Sequence, residues 1–168
     1  RSADFAAMMQ RITDTPVPAG GWEQDPRHSA PAVVDQAMAR FGLGRDAAAL
    51  YLQYLTLLSP TTRHVHRWNG WTPRQLDAAN AALIAHRLVI EARRERAQRG
   101  HFLPGGWAAR RPPHPPIETW KLAMYHPRPA EAPPLPRLVA LAPFHLLFAR
   151  AWARIEAGDV PKYEDVTP

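Results

Sequence analysis

Apolar residues recur along the chain at helical spacing, then at strand spacing, and the changeovers mark the elements. Phe5, Met8, Met9 and Ile12 form one helical stripe, ended by the turn-forming run Thr15–Pro16–Val17–Pro18–Ala19–Gly20–Gly21. Val33, Val34, Ala37, Met38 and Phe41 form the next, with Ser29 as expected N-cap, Pro31 near the first helical position, and Gly42 and Gly44 closing it. Asp46 opens AAALYLQYLTLL, apolar on nearly every side, which predicts a central buried helix stopped by Ser59–Pro60. TTRHVHRWNGW predicts a short helix capped by Thr61 or Thr62 and ended at Asn69–Gly70. Thr72 and Pro73 then suit the N-cap and first position of a helix whose core stripe is Leu76, Ala79, Ala82, Leu83 and Ile84. LVIEARR, Leu88 to Arg94, reads as a strand, and HFLP, His101 to Pro104, as its partner across the ERAQRG turn.

Beyond Trp107 the texture changes. RRPPHPP, Arg110 to Pro116, is stiff and extended, and IETWKLAMY reads as a strand or an irregular arm. HPRPAEAPPLPR is a second proline-rich connector. Phe144, Leu147, Phe148, Ala151, Trp152 and Ile155 then share one face of a last helix ended by Gly158, expected to pack on its own chain. The pattern as a whole predicts a mainly α fold. An N-terminal helical segment spans 1–44, a core of three helices and a basic β-hairpin spans 45–111, and a proline-rich arm with an amphipathic helix spans 112–168. Leu50, Leu55, Leu58, Leu76, Leu83, Phe102 and Trp71 are expected in one hydrophobic cluster.

Composition narrows this further. Cysteine is absent, which excludes disulfides and thiolate metal sites. The longest apolar tract, Leu138 to Trp152, is broken by Pro143, His145 and Arg150 and cannot span a bilayer. There is no secretory leader pattern. An Ala-, Arg- and Pro-rich chain with Lys121 and Lys162 as its only lysines suits a high-GC bacterial, cytoplasmic protein. The chain opens on Arg1, which predicts a piece of something longer.

The net charge of +6 is concentrated: residues 87–111 carry seven arginines and two glutamates, while residues 112–168 balance six against six. A localised basic surface is the footprint of a polyanion partner, against the plainer reading of a solvated hairpin. The order helix, short helix, helix, strand, basic turn, strand runs from about Asp46 to Trp107. There WTPRQLDAANAALIAHRLV passes from helix into strand ahead of the arginine turn. This stretch resembles the winged helix-turn-helix superfamily. The resemblance implies a third helix that enters a major groove and a wing that touches backbone phosphates.

Chemistry-bearing patterns are weak by comparison. His64 and His66 diverge on a helix, and His101 and His114 lack a cysteine to complete a site. Glu91 and Glu95 sit among arginines that keep them ionised. Asp159, Glu164 and Asp165 lie toward the C-terminus. No nucleophile elbow or phosphate-cradling loop occurs, and PGGW at Pro104–Trp107 is only a turn. The expectation is a non-enzyme without cofactor or metal. Trp68, Trp71 and Trp107 can stack bases, but tryptophans at element ends more often seal a small core, the reading preferred here. APPLPR, Ala132 to Arg137, suits a rigid connector better than a ligand for an aromatic groove.

On the third helix, Arg74, Gln75 and Asn80 are side chains that read bases, but Ala78, Ala81 and Ala85 leave a bare stripe. Arg93, Arg94, Arg96 and Arg99 lie on the hairpin, with Arg110 and Arg111 beyond, a distribution that favours phosphates over bases. The expected function is therefore binding of duplex DNA or another nucleic acid, mainly through the arginine wing and phosphates. The alternative is a non-catalytic interaction module of a larger bacterial protein, docking a protein partner or neighbouring domain.

Overall fold

The computed structural model describes residue 6 and residues 17–112, 114–125 and 142–163. The helix expected near residues 5–12 and the proline-rich connector at 126–137 lie outside them. The described residues are mainly helical, with two small antiparallel sheets. In chain order they form α1 (Pro26–Ser29), α2 (Pro31–Phe41), α3 (Arg45–Thr56), α4 (Thr62–Asn69), α5 (Pro73–Ala85), β1 (Ile90–Glu91) and β2 (His101–Phe102). There follow β3 (Trp107–Ala108), β4 (Ile117–Glu118), a 3-10 turn (Thr119–Lys121), α6 (Leu122–Tyr125) and α7 (Phe144–Glu156).

The apolar-on-all-sides segment becomes the central helix. α3 buries every residue from Ala47 to Thr56 and packs against α2, α5 and α7. Its buried Gln53 is satisfied by a reciprocal amide pair with Asn69, at 2.8 and 2.9 Å. The helix ends at Thr56, short of Ser59–Pro60, because Leu57 is already extended.

Local signals set the neighbouring elements. Gly42 and Gly70 close α2 and α4 with φ of 66° and 65°, the left-handed geometry that glycine adopts without strain. Thr61 caps α4, and Thr72 with Gln75 builds a capping box on α5. The Ser29 cap is a correction. α2 has Ala30 at its N-cap with no side-chain bond, and Ser29 instead ends the short α1, which Asp25 caps; the Ser29 hydroxyl donates to the Glu23 carbonyl at 2.7 Å.

The hairpin is present but short. Ile90 pairs with Phe102 and Glu91 with His101, and the Ala92 N–H donates to the Gly100 carbonyl at 3.0 Å. The ladder stops before Arg94 because that side chain turns in to the Leu103 and Gly105 carbonyls. A second pair, Trp107 with Glu118 and Ala108 with Ile117, was not expected. Residues read as a stiff proline segment form its connection, and IETWKLAMY supplies a strand, a 3-10 turn and α6 rather than one arm. Gly106 permits this closure, since a Cβ there would lie 2.6 Å from the Thr119 hydroxyl.

Leu50, Leu55, Leu76, Leu83 and Trp71 share one cluster with Val34, Phe148, Trp152 and Ile155. Two expected members differ. Leu58 is half-buried. Phe102 is fully buried but outside that cluster, edge-on to Trp107 and covered by the Arg94 and Arg99 guanidiniums.

Leu83→Ala should lower unfolding free energy by about 2–5 kcal/mol in urea titration, through lost burial and a cavity. Ile84→Ala, at a side chain 39% exposed, should stay within about 0.5 kcal/mol. The reverse order would show the phase of α5 to be misassigned.

Candidate nucleic-acid interface

The residues expected to read bases separate in the fold. Arg74 is exposed in the first turn of α5. Gln75 is exposed, but its side-chain oxygen accepts from the Thr72 N–H at 2.9 Å as half of the capping box. Asn80 is buried and accepts from the Tyr54 hydroxyl at 3.0 Å, so it fastens α5 to α3 instead of facing outward. Ala78, Ala81 and Ala85 are exposed, as the bare stripe requires.

The arginines divide as well. Arg93, Arg96 and Arg111 are exposed, and Arg110 is half-buried. Arg96 and Arg110 both hold left-handed backbone, at φ 59° and 42°. The Arg96 guanidinium donates to the Ala109 and Arg110 carbonyls, joining the hairpin turn to the second connection. Strained non-glycine residues of this kind persist only where the surroundings fix them.

Arg94 and Arg99 turn inward and are corrections to their expected surface role. Arg94 donates to the Gly105 carbonyl at 2.9 Å and lies 4.9 Å from the Phe102 ring centroid. Burial lowers its pKa, although a guanidinium stays charged at neutral pH. Arg99, its side chain 3% exposed, donates to the Pro60 carbonyl at 2.9 Å and to a Glu118 carboxylate oxygen. Burial also lowers the His101 pKa, so this imidazole adds no charge near neutral pH.

Glu118 sits between two cations. Arg99 bonds one carboxylate oxygen, and Lys121, fully buried, stands 2.8 Å from the other. Lys121 also donates to the Leu57 carbonyl at 2.6 Å, and the Tyr125 hydroxyl donates to the Thr56 carbonyl. The free carbonyls at the end of α3 thereby receive their donors from the second sheet and the helix beyond it. Burial raises the Glu118 pKa, but the Lys121 and Arg99 charges outweigh it and hold the carboxyl at about 2.

α4 carries a feature that the sequence reading passed over. Arg63 and Arg67 lie one turn apart, and His64 and Trp68 form the adjacent stripe. The His64 and Trp68 rings stack at 5.1 Å and 26°, and the Arg67 guanidinium lies 4.7 Å over the Trp22 ring. The Thr62 N–H donates to the Gln98 carbonyl at 3.1 Å, fastening the start of α4 to the hairpin turn. Beside this face opens an apolar slot of 230 Å³, lined in part by Leu58, Pro60, His64, Trp68, Tyr125 and Phe144. The signal was present as R-H-x-x-R-W, but His64 had been weighed only with His66 as a metal pair. His66 instead engages the Trp71 carbonyl at 3.0 Å.

Among the described residues no cluster of three His, Asp or Glu side chains is placed to hold a metal ion. No described helix is long and apolar enough to cross a membrane. No family model, curated protein or solved structure matches the chain.

Removing one charge from the triad leaves its partners buried and uncompensated. Glu118→Ala should therefore cost about 3–5 kcal/mol. Because the folded pKa lies below the ordinary 4.5, the stabilising share of Glu118 is complete above that value and is lost as pH falls toward about 2. The stability gap between wild type and Glu118→Gln should narrow over that window in urea titrations. A gap constant down to about pH 2 would contradict the assignment.

Proposed function

We propose that residues 45–111 form a winged helix-turn-helix module that binds nucleic acid through its backbone phosphates. Contact comes from Arg93, Arg96, Arg110 and Arg111. The observation that carries this reading is the joining of two arginine-bearing connections by the Arg96 guanidinium, while Arg94 and Arg99 bond inward to the Gly105 carbonyl and Glu118. Exposed guanidiniums on a fixed surface suit phosphate oxygens, which they meet in bidentate fashion. On α5, with Asn80 buried and Gln75 engaged in the cap, Arg74 is the remaining base reader of the expected set. Little discrimination among sequences follows from that.

The second reading is the protein-interaction module, favoured by one observation. An open groove of 480 Å³ runs between the start of α3 and the alanine face of α5, lined in part by Arg45, Ala47, Ala78 and Ala82. Such a face suits close approach of another protein better than hydrogen bonding to base edges.

Titration of duplex DNA against salt separates the two. The preferred reading expects log K to fall linearly with log salt, and the slope to shrink by about 0.9 for each phosphate contact removed. Changing Arg93, Arg96, Arg110 and Arg111 together to alanine should weaken unrelated sequences alike, whereas Arg74→Ala should alter preference among them. Wild-type protein that leaves duplex DNA unbound at low salt overturns the preferred reading and supports the interaction module.

A further inference from the structure

We infer that the slot beside α4 receives an unpaired nucleobase, so that the nucleic acid held by the arginine surface is single-stranded or locally unpaired. The inference rests on the phosphate-binding reading above and specifies its substrate. Three observations carry it. First, the slot has suitable walls: its lining includes the stacked His64 and Trp68 rings, the aromatic Tyr125 and Phe144, and aliphatic Leu58 and Pro60. Aromatic faces take any base by stacking, without reading its edge. Second, its 230 Å³ is below the roughly 300–1,000 Å³ of sites for drug-sized ligands. A single planar ring system is therefore a better match than an extended ligand.

Third, charge lies alongside. Arg63 and Arg67 flank the aromatic stripe on the same helix, so a strand whose base enters the slot passes its phosphates across guanidiniums. The hairpin is physically continuous with this face. Arg99 holds the Pro60 carbonyl at the slot wall, and the Gln98 carbonyl accepts from the first N–H of α4. A base in the slot and phosphates on the hairpin are thus contacts to one rigid surface. A duplex keeps its bases stacked inside and cannot fill the slot without unpairing. The slot therefore confers a preference for single strands that phosphate contact alone does not.

The test compares a labelled oligothymidylate with an abasic oligomer of the same length, by fluorescence anisotropy at fixed low salt, using the 168-residue chain. The two strands carry the same phosphates and differ only in bases. The expected result is about tenfold or more tighter binding of oligothymidylate, with the difference removed in Trp68→Ala and reduced in His64→Ala. His64 is exposed, so its replacement leaves the fold intact even where Trp68→Ala perturbs packing. Equal, salt-sensitive binding of both strands would overturn the slot and leave the phosphate reading standing. Failure of both strands to bind at low salt would overturn both readings.

Discussion

A single buried carboxylate joins the hairpin, the second sheet and the end of the central helix. Glu118 lies on β4, and its charge is matched by Arg99 from the hairpin turn and Lys121 from the following 3-10 turn. Through Lys121 and Tyr125 the same cluster reaches the last carbonyls of the central helix, and through Arg99 it reaches Pro60. Hairpin, second sheet, end of α3 and approach to α4 therefore meet at one ionic centre. A neutral substitute at Glu118 leaves two cations facing each other away from water, which is why the cost falls on folding and not on local geometry alone.

That centre also explains why the hairpin is short and rigid. A long basic hairpin with all its arginines in water would be a mobile wing. Here Arg94 and Arg99 are spent on carbonyls, aromatic rings and Glu118, and the ladder needs only two strand rungs. Arg96 then ties the turn to the second connection. The turn and the second connection are thus held in one arrangement by side-chain bonds rather than left free.

Much of the helical framework was legible in the sequence. Helix ends are decided within a few residues: Gly42, Gly70, Thr61, and Thr72 with Pro73 each act on their own turn. The all-apolar face of residues 47–58 identified α3 for the same reason. The second sheet was not legible, because its two-residue strands carry no periodicity and its stability comes from Glu118 and the Gly106–Thr119 contact, long-range facts. The site was partly legible. Charge density marked the hairpin as the basic region, but which of its arginines face water depends on contacts with Phe102, Trp107 and Glu118 that only the fold creates. Asn80 was misplaced for a similar reason: its partner Tyr54 lies on another helix.

Arginines turned inward are not lost to an electrostatic role. Arg94 is held by carbonyls and aromatic faces. Arg99 and Lys121 share the single charge of Glu118. The base of the hairpin therefore keeps a net positive charge in a region of low dielectric, where fields are screened less than in water. The residues that stabilise the hairpin therefore also contribute to the potential of its surface.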